Sequence, residues 1–190
     1  MSHEIYTTKG YIISSEGKSE SDKNFFILTK DLGLIRATAQ GVRKIESKLR
    51  YSLQDFSFSE ISFVMTKAGW RITSASILES SKNVTKDEVK VKTLRLLKKL
   101  WGTDEVNENL FNEIRSAFDF IDNEIEKSEV KSIEALLVLK ILSHLGYWGE
   151  DKEDTFAESP FNKESVAKIT EKREDIIKAL NESLRATQLF

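Results

Sequence analysis

The hydrophobic period changes once along this chain, near residue 80, and that change limits the fold more than any composition figure. From Glu4 to Leu78 the apolar residues come in five short runs, "EIYTTKGYIISS", "KNFFILTK", "GLIRATAQG", "FSFSEISFVMT" and "WRITSASIL". Each run is rich in β-branched and aromatic residues and is bounded by turn formers, which is the pattern of strands. From about Thr85 onward the apolar spacing becomes three or four residues, the period of helices. Five strands in about 75 residues is the count of a small barrel. The expected fold class is therefore α+β, with a five-stranded β-barrel in residues 1–80 and an all-α helical domain in residues 81–190.

Details within each half sharpen this division. In "FSFSEISFVMT", Phe56 and Phe58 alternate with serines, and then Ile61, Phe63 and Met65 continue one position out of phase. Such a slip predicts a β-bulge that bends the strand, and Gly10 predicts a second bend in the long first run. Gly33 fits a tight turn between two strands, and Gly41 lets the backbone leave the sheet. In the second half, "TKDEVKVKTLRLLKKLWG" carries Val89, Leu96, Leu97 and Leu100 and closes at Gly102. The next segment repeats Leu110, Ile114, Phe118, Ile121 and Ile125, an amphipathic helix. "SIEALLVLKILSHLGY" is apolar on nearly every face, as in the central helix of a bundle, with Gly146 as its stop. "WGEDKEDTFAESPF" reads as a polar connection. The last stretch is a long helical pattern with Val166, Ile169, Ile176, Ile177, Leu180 and Leu184, broken near Glu174.

Several chemistries are removed by composition. The sequence has no cysteine, so thiol catalysis, disulfides and cysteine-ligated metals are excluded. Its two histidines, His3 and His144, have no matching ligand spacing, and His144 reads as a helix-end residue. There is no phosphate loop, nucleophile elbow or zincin motif. The carboxylates Glu150, Asp151, Glu153 and Asp154 sit in a charged loop and read as a solvated segment. No catalytic residue, metal or cofactor is implied, and the protein is expected not to be an enzyme. No apolar run is long enough to span a bilayer and the first residues lack a signal-peptide pattern, so a cytoplasmic protein without a membrane partner is expected.

What remains is binding. The formal net charge of -2 gives no global attraction to polyanions. Charge is nevertheless uneven: residues 1–80 hold 11 basic and 9 acidic groups, and the helical half holds 18 and 22. Between Arg36 and Arg50 five basic residues face only Glu46. A barrel with cationic loops and aromatic strands is the arrangement by which oligonucleotide-binding (OB) folds hold single strands. The expected backbone contacts are Lys30, Arg36, Arg43, Lys44, Lys48 and Arg50, with Lys67 and Arg71 at the rim. Most rings must fill the barrel, but Tyr51 and Trp70, each beside an arginine, are the candidates for base stacking. The segment "RKIESKLR" could be a short helix with a solvated basic face.

The same residues resemble the N-terminal signature of the RecO family of recombination mediators. The ordered matches are Glu20-Ser21-Asp22, Thr29, Asp31 and Gly33, Ala39, Gly41 and Arg43, Ser47, and Leu53-Gln54-Asp55-Phe56. "LLVLKILSHLGY" and "ALNESLRATQL" are similar to the family's later segments. Many members carry a four-cysteine zinc module after the Leu-Gly-Tyr step; here that region has no cysteine, so a short, zinc-free member is expected.

The resemblance implies a bacterial DNA repair factor that binds and anneals single-stranded DNA, and takes double-stranded DNA as a further ligand. It also implies that the protein helps load the recombinase RecA, indirectly, onto DNA coated by single-strand-binding protein, acting with RecR. An alternative is a protein-interaction adaptor with minor DNA binding, its helical half gripping RecR or the acidic C-terminal tail of single-strand-binding protein. That tail would need an apolar pocket edged by Lys98, Lys99 or Arg185. A third reading is an RNA-binding accessory module.

Overall fold

A computed structural model describes residues 4–80, 84–102, 105–148 and 156–187. Its contacts divide the chain into two units: one takes the described residues through Ser80 together with the 101–111 segment, and the other takes residues 84–100 and the described residues from Asn112 on.

The first unit is a closed five-stranded barrel. Its strands are β1 (Ile5–Gly17), β2 (Lys23–Thr29), β3 (Gly33–Ala39), β4 (Phe58–Thr66) and β5 (Gly69–Glu79), with a four-residue helix α1 (Leu49–Ser52) between β3 and β4. Around the barrel the order is β1-β2-β3-β5-β4, and β4 returns to β1. All pairs are antiparallel except β3 with β5, where Ala37 faces Trp70 and Thr38 faces Arg71. This is the topology of the OB fold expected from the five runs. The two β3–β5 pairs are the whole register between those strands, so the barrel closes over a short seam.

One long strand makes the closure possible. β1 pairs with β4 from Ile5 to Tyr11 and with β2 from Gly10 to Gly17. Where it passes from one neighbour to the next, a β-carbon on Gly10 would lie 2.7 Å from the Leu28 carbonyl oxygen. Only glycine allows strands to approach so closely there. The bend itself falls at Ile13, an extra residue between the Ile12–Ile27 and Ser14–Phe26 pairs.

The barrel core contains Ile12, Phe25, Ile27, Ile35, Ala37, Ile61, Phe63 and Ile72, with Val42 and Leu53 from the connection. Burying each large member contributes about 1.5–3 kcal/mol. Two local expectations need correction. The phase slip after Phe58 in "FSFSEISFVMT" does meet an irregular β4–β5 pairing, between Phe58 and Ser59, but β4, which starts at Phe58 after a turn with Phe56 at φ 66°, does not carry the extra residue. The extra residues fall on the partner strand β5, between the partners of Phe58 and Ser59 and between those of Ser62 and Phe63. Nor does "RKIESKLR" form one helix. Residues 40–46 are turns and a bend, and helix begins only at Leu49.

The 101–111 segment packs with the barrel. The Trp101 indole N–H donates to the Glu105 carbonyl at 3.0 Å, Lys30 pairs with Glu108 at 3.1 Å, and Phe111 lies 6.1 Å from Tyr11. A β-carbon on Gly33, which sits at φ 70° in the β2–β3 turn, would collide with the Glu105 carbonyl.

The second unit is helical. α2 (Val84–Leu100) is followed by α3 (Glu108–Asn123), whose first turn clusters with the barrel, then α4 (Val130–His144), α5 (Lys163–Glu171) and α6 (Arg173–Ala186). α4 is buried on nearly every face, as its sequence predicts, and Gly146 follows it at φ 74°. Leu110, Ile114, Phe118, Ile121 and Ile125 are all buried. The break in the last pattern comes at Lys172, between α5 and α6, and Ile177 is exposed rather than buried. His144 is exposed on the last turn of α4. Glu150, Asp151, Glu153 and Asp154 lie outside the described residues.

An unanticipated member of this core is Lys140, 1% exposed. Its ammonium donates to the Ala157 carbonyl at 2.9 Å and lies 5.1 Å from the centre of the Phe161 ring. It also stands 3.1 Å from Glu113 Oε2, a charge contact without well-aligned hydrogen-bond geometry. A lysine survives burial when its charge is compensated in this way.

Among the described residues no helix is long and apolar enough to cross a membrane.

Candidate nucleic-acid interface

The connection from Gln40 to Ser52 carries most of the basic cluster, and the β1–β2 turn holds it in place. Asp22 Oδ1 accepts from the Gly41 N–H at 2.9 Å and from the Ser21 hydroxyl at 2.9 Å. Those bonds, Gly41 first, hold the Asp22 carboxyl below the usual aspartate range. The Arg43 N–H donates to the Ser21 carbonyl at 3.0 Å, and Arg43 Nη1 donates to the Ser19 carbonyl at 3.1 Å. Gly41, at φ 63°, makes the exit from β3 that brings these groups together. Beyond it the Lys44 N–H donates to the Gly41 carbonyl and the Ser47 N–H to the Lys44 carbonyl, each at 3.1 Å. The connection is a tethered set of turns.

The eight predicted contacts separate by what their side chains already hold. Arg36 pairs with Glu16 and lies 5.7 Å from the centre of the Phe26 ring, its cross-strand neighbour. Lys30 is engaged by Glu108 on the 101–111 segment. Arg43 braces the β1–β2 turn. Lys44, Lys48, Arg50, Lys67 and Arg71 make no side-chain ion pair or hydrogen bond among the described residues, and all but the half-buried Arg71 are exposed. Five cations are thus free to attract an anion, and three have other work.

Lys67 and Arg71 line a cleft of about 280 Å³ with Lys18, Thr38, Gln40 and Trp70. It lies between the β1–β2 turn and the β4–β5 turn, the two loops that flank the ligand face of OB folds. Lys18, which the sequence did not single out, donates to Thr38 Oγ1 at 3.0 Å, and Thr38 donates to Asn24 Oδ1 at 2.9 Å. The cleft and the basic connection adjoin: Gln40 in the cleft wall directly precedes Gly41, and Lys18 lies between Gly17, where an added β-carbon would stand 3.9 Å from Arg43 Nη1, and Ser19, whose carbonyl that Nη1 binds. Lys18 and Gln40 escaped notice because each stands alone in a polar stretch; strand pairing brings them to one place.

The two proposed stacking residues differ. Tyr51 is 66% exposed on α1. Trp70 is half-buried, held by edge-on contacts with Tyr6 at 5.3 Å and Phe63 at 6.1 Å between ring centres.

The helical unit has its own cleft of about 340 Å³ between α2 and α4. Leu96 and Val138 form its apolar part, and Lys92, Arg95, Lys99 and Glu134 its edge. Of the three residues expected beside such a pocket, Lys99 lines it and Lys98 and Arg185 do not. Lys92 pairs with Glu88 at 2.9 Å and lies 3.8 Å from Glu134, and these carboxylates raise its pKa, Glu88 foremost.

Comparison with known proteins gives this geometry a context. A family profile described as recombination protein O N terminal matches residues 1–81. Proteins named DNA repair protein RecO from Clostridium acetobutylicum and Clostridium novyi are each 25% identical over 147 residues, which is 75% of this chain and 59% and 57% of theirs. One of the same name from Dehalococcoides mccartyi is 35% identical over 79 residues, 42% of this chain and 31% of its own. The chain thus spans somewhat under three fifths of the length of the clostridial relatives it matches. The profile thus covers the barrel, and the likeness to the clostridial RecO proteins runs on past it into the helical half.

Proposed function

We propose that this protein is a DNA repair and recombination factor that works by binding rather than catalysis: it holds single-stranded DNA on the barrel, anneals it, and assists recombinase loading onto DNA coated by single-strand-binding protein, in concert with RecR. The observation that carries the reading is the tethered connection with Lys44, Lys48 and Arg50 free, adjoining the cleft edged by Lys67 and Arg71. The names of the relatives support the repair context. If about four phosphates are neutralised, log affinity against log salt falls with a slope near -3 on single strands. Fluorescence anisotropy with a labelled oligonucleotide checks this, and a salt-independent affinity would overturn it. An annealing and displacement assay with single-strand-binding protein present tests the mediator steps.

A second reading, a protein-interaction adaptor, draws support from the α2–α4 cleft. An apolar floor beside Arg95 and Lys99 suits a peptide that is acidic and ends in an apolar residue, as the tail of single-strand-binding protein is expected to be. Labelled peptide and labelled oligonucleotide, titrated separately, distinguish the two. Peptide binding without salt-sensitive DNA binding favours the adaptor.

A further inference from the structure

The connection from Gln40 to Ser52 has two sides. Its apolar residues Val42, Leu49 and Leu53 pack on the barrel core and anchor it. Ile45 does not: at 82% exposure it is the most exposed large apolar side chain among the described residues. Single apolar residues on a surface are ordinary, so exposure alone carries nothing. What sets Ile45 apart is how it is presented and what surrounds it.

Residues 43–46 are exposed throughout, between buried Val42 and half-buried Ser47, and so form a protruding tip. Hydrogen bonds brace that tip at its base. The Arg43 N–H donates to the Ser21 carbonyl, the Lys44 N–H to the Gly41 carbonyl and the Ser47 N–H to the Lys44 carbonyl. An apolar group carried on an already ordered backbone gives up little further freedom when a ligand covers it. Lys44 directly precedes Ile45 and Lys48 follows three residues on, both exposed and without an ion pair among the described residues. Glu46 is the one acidic residue between Arg36 and Arg50, against five basic ones. An apolar tip in a positive field complements a ligand with an anionic exterior and an apolar interior. Duplex DNA has that construction, with phosphates outside and stacked bases within. Proteins that bend DNA from the minor groove push Ile, Leu, Met or Phe between base steps, with cationic side chains beside the wedge.

From this we infer that Ile45 is such a wedge: the tip enters the minor groove of duplex DNA and inserts Ile45 between neighbouring base pairs, while Lys44 and Lys48 meet the flanking phosphates. This rests on the DNA-binding reading above and adds to it a second ligand form, a duplex kinked and unstacked at one step.

The test uses a duplex labelled at both ends for energy transfer and carrying 2-aminopurine at several steps, whose emission rises when neighbouring bases unstack. The intact protein is expected to bend this duplex by roughly 20–90° and to raise the emission. Ile45→Ala should lose both responses with its thermal unfolding midpoint unchanged, because so exposed a side chain contributes little packing. Ile45→Leu should keep both. Lys48→Glu should weaken duplex and single strand alike. A straight duplex with unchanged emission, bound with a steep salt dependence, would overturn the wedge and leave the backbone reading standing. Salt-insensitive or absent binding of duplex and single strand together would overturn the backbone reading as well. Bending that survives Ile45→Ala would overturn the role given to this residue. Self-association in sedimentation that Ile45→Ala abolishes, with no bending of the duplex, would overturn the wedge and give the tip to a second copy of the chain.

Discussion

Each unit of this protein has a cleft edged by lysine and arginine, yet the two clefts are electrostatically different. In the helical unit Lys92 is balanced by Glu88 and Glu134, and the floor is Leu96 and Val138. In the barrel Lys67 and Arg71 have no carboxylate partner among the described residues, and the wall is Trp70 and polar side chains. Counting basic residues cannot separate these sites, because the helical half holds more of them than the barrel half. Partners separate them. An unpaired cation offers its whole field to an incoming phosphate, and a paired one must first give up the charge it already holds.

The largest expected effect concerns Lys140, the fully buried lysine of the helical unit among the described residues. Lys140→Ala leaves Glu113 without its compensating charge and the Ala157 carbonyl without its donor, and should cost about 3–5 kcal/mol in denaturant unfolding. Lys140→Met, which keeps the volume, should cost less than Lys140→Ala. A loss under about 1 kcal/mol for the alanine variant would show that this cation resembles the surface ones.

Next comes the contrast between the clefts. Reversing Lys44, Lys48 and Lys67 together to Glu should weaken single-strand binding roughly 100-fold at low salt, with thermal unfolding nearly unchanged. Reversing Lys92, Arg95 and Lys99 should leave that affinity within about twofold. If both triples weaken DNA equally, the distinction drawn between the clefts is wrong.

A third prediction addresses the packing of 101–111 on the barrel. Gly33→Ala places a β-carbon on the Glu105 carbonyl at a positive φ and should destabilise by about 1–3 kcal/mol. It should also shift the fluorescence of Trp101, whose indole holds that same carbonyl. An unchanged spectrum with the stability loss would confine the effect to the turn.

The smallest effect is a pH dependence. Asp22 is depressed in the folded protein, so its grip on Gly41 is at full strength above the ordinary aspartate value of 3.8 and is lost as pH falls through its lower folded value. The Gly41 amide resonance, followed by NMR, should therefore titrate with a midpoint below 3.8. A midpoint at or above that value would mean the tether does not stabilise the carboxylate.

How far the sequence could be read depends on the range of the interactions involved. Strand alternation in "KNFFILTK" and "GLIRATAQG" is a local pattern, and Phe25, Ile27, Ile35 and Ala37 are indeed core residues. Gly33 and Gly41 announced positive φ values that the chain adopts. The eight proposed cations are visible in the sequence as charges, but nothing local revealed that Arg36 would meet Glu16, Lys30 would meet Glu108, or Arg43 would brace Ser19. The slip after Phe58 coincides with an irregular pairing, between Phe58 and Ser59, but the extra residue lies on β5, which a pattern within β4 cannot show.

By itself, then, the amino-acid order determined the kinds of element, strands first and helices after, and the place where positive charge gathers. Each of these follows from side-chain periodicity and backbone preference within a few residues. Only the tertiary structure decided which cations are free, that Lys18 and Gln40 join Lys67, Trp70 and Arg71 in one cleft, and that Lys140 is an interior charge. Those outcomes depend on barrel closure and helix packing, which set residues far apart in sequence within hydrogen-bonding distance, and no local pattern encodes such a distance.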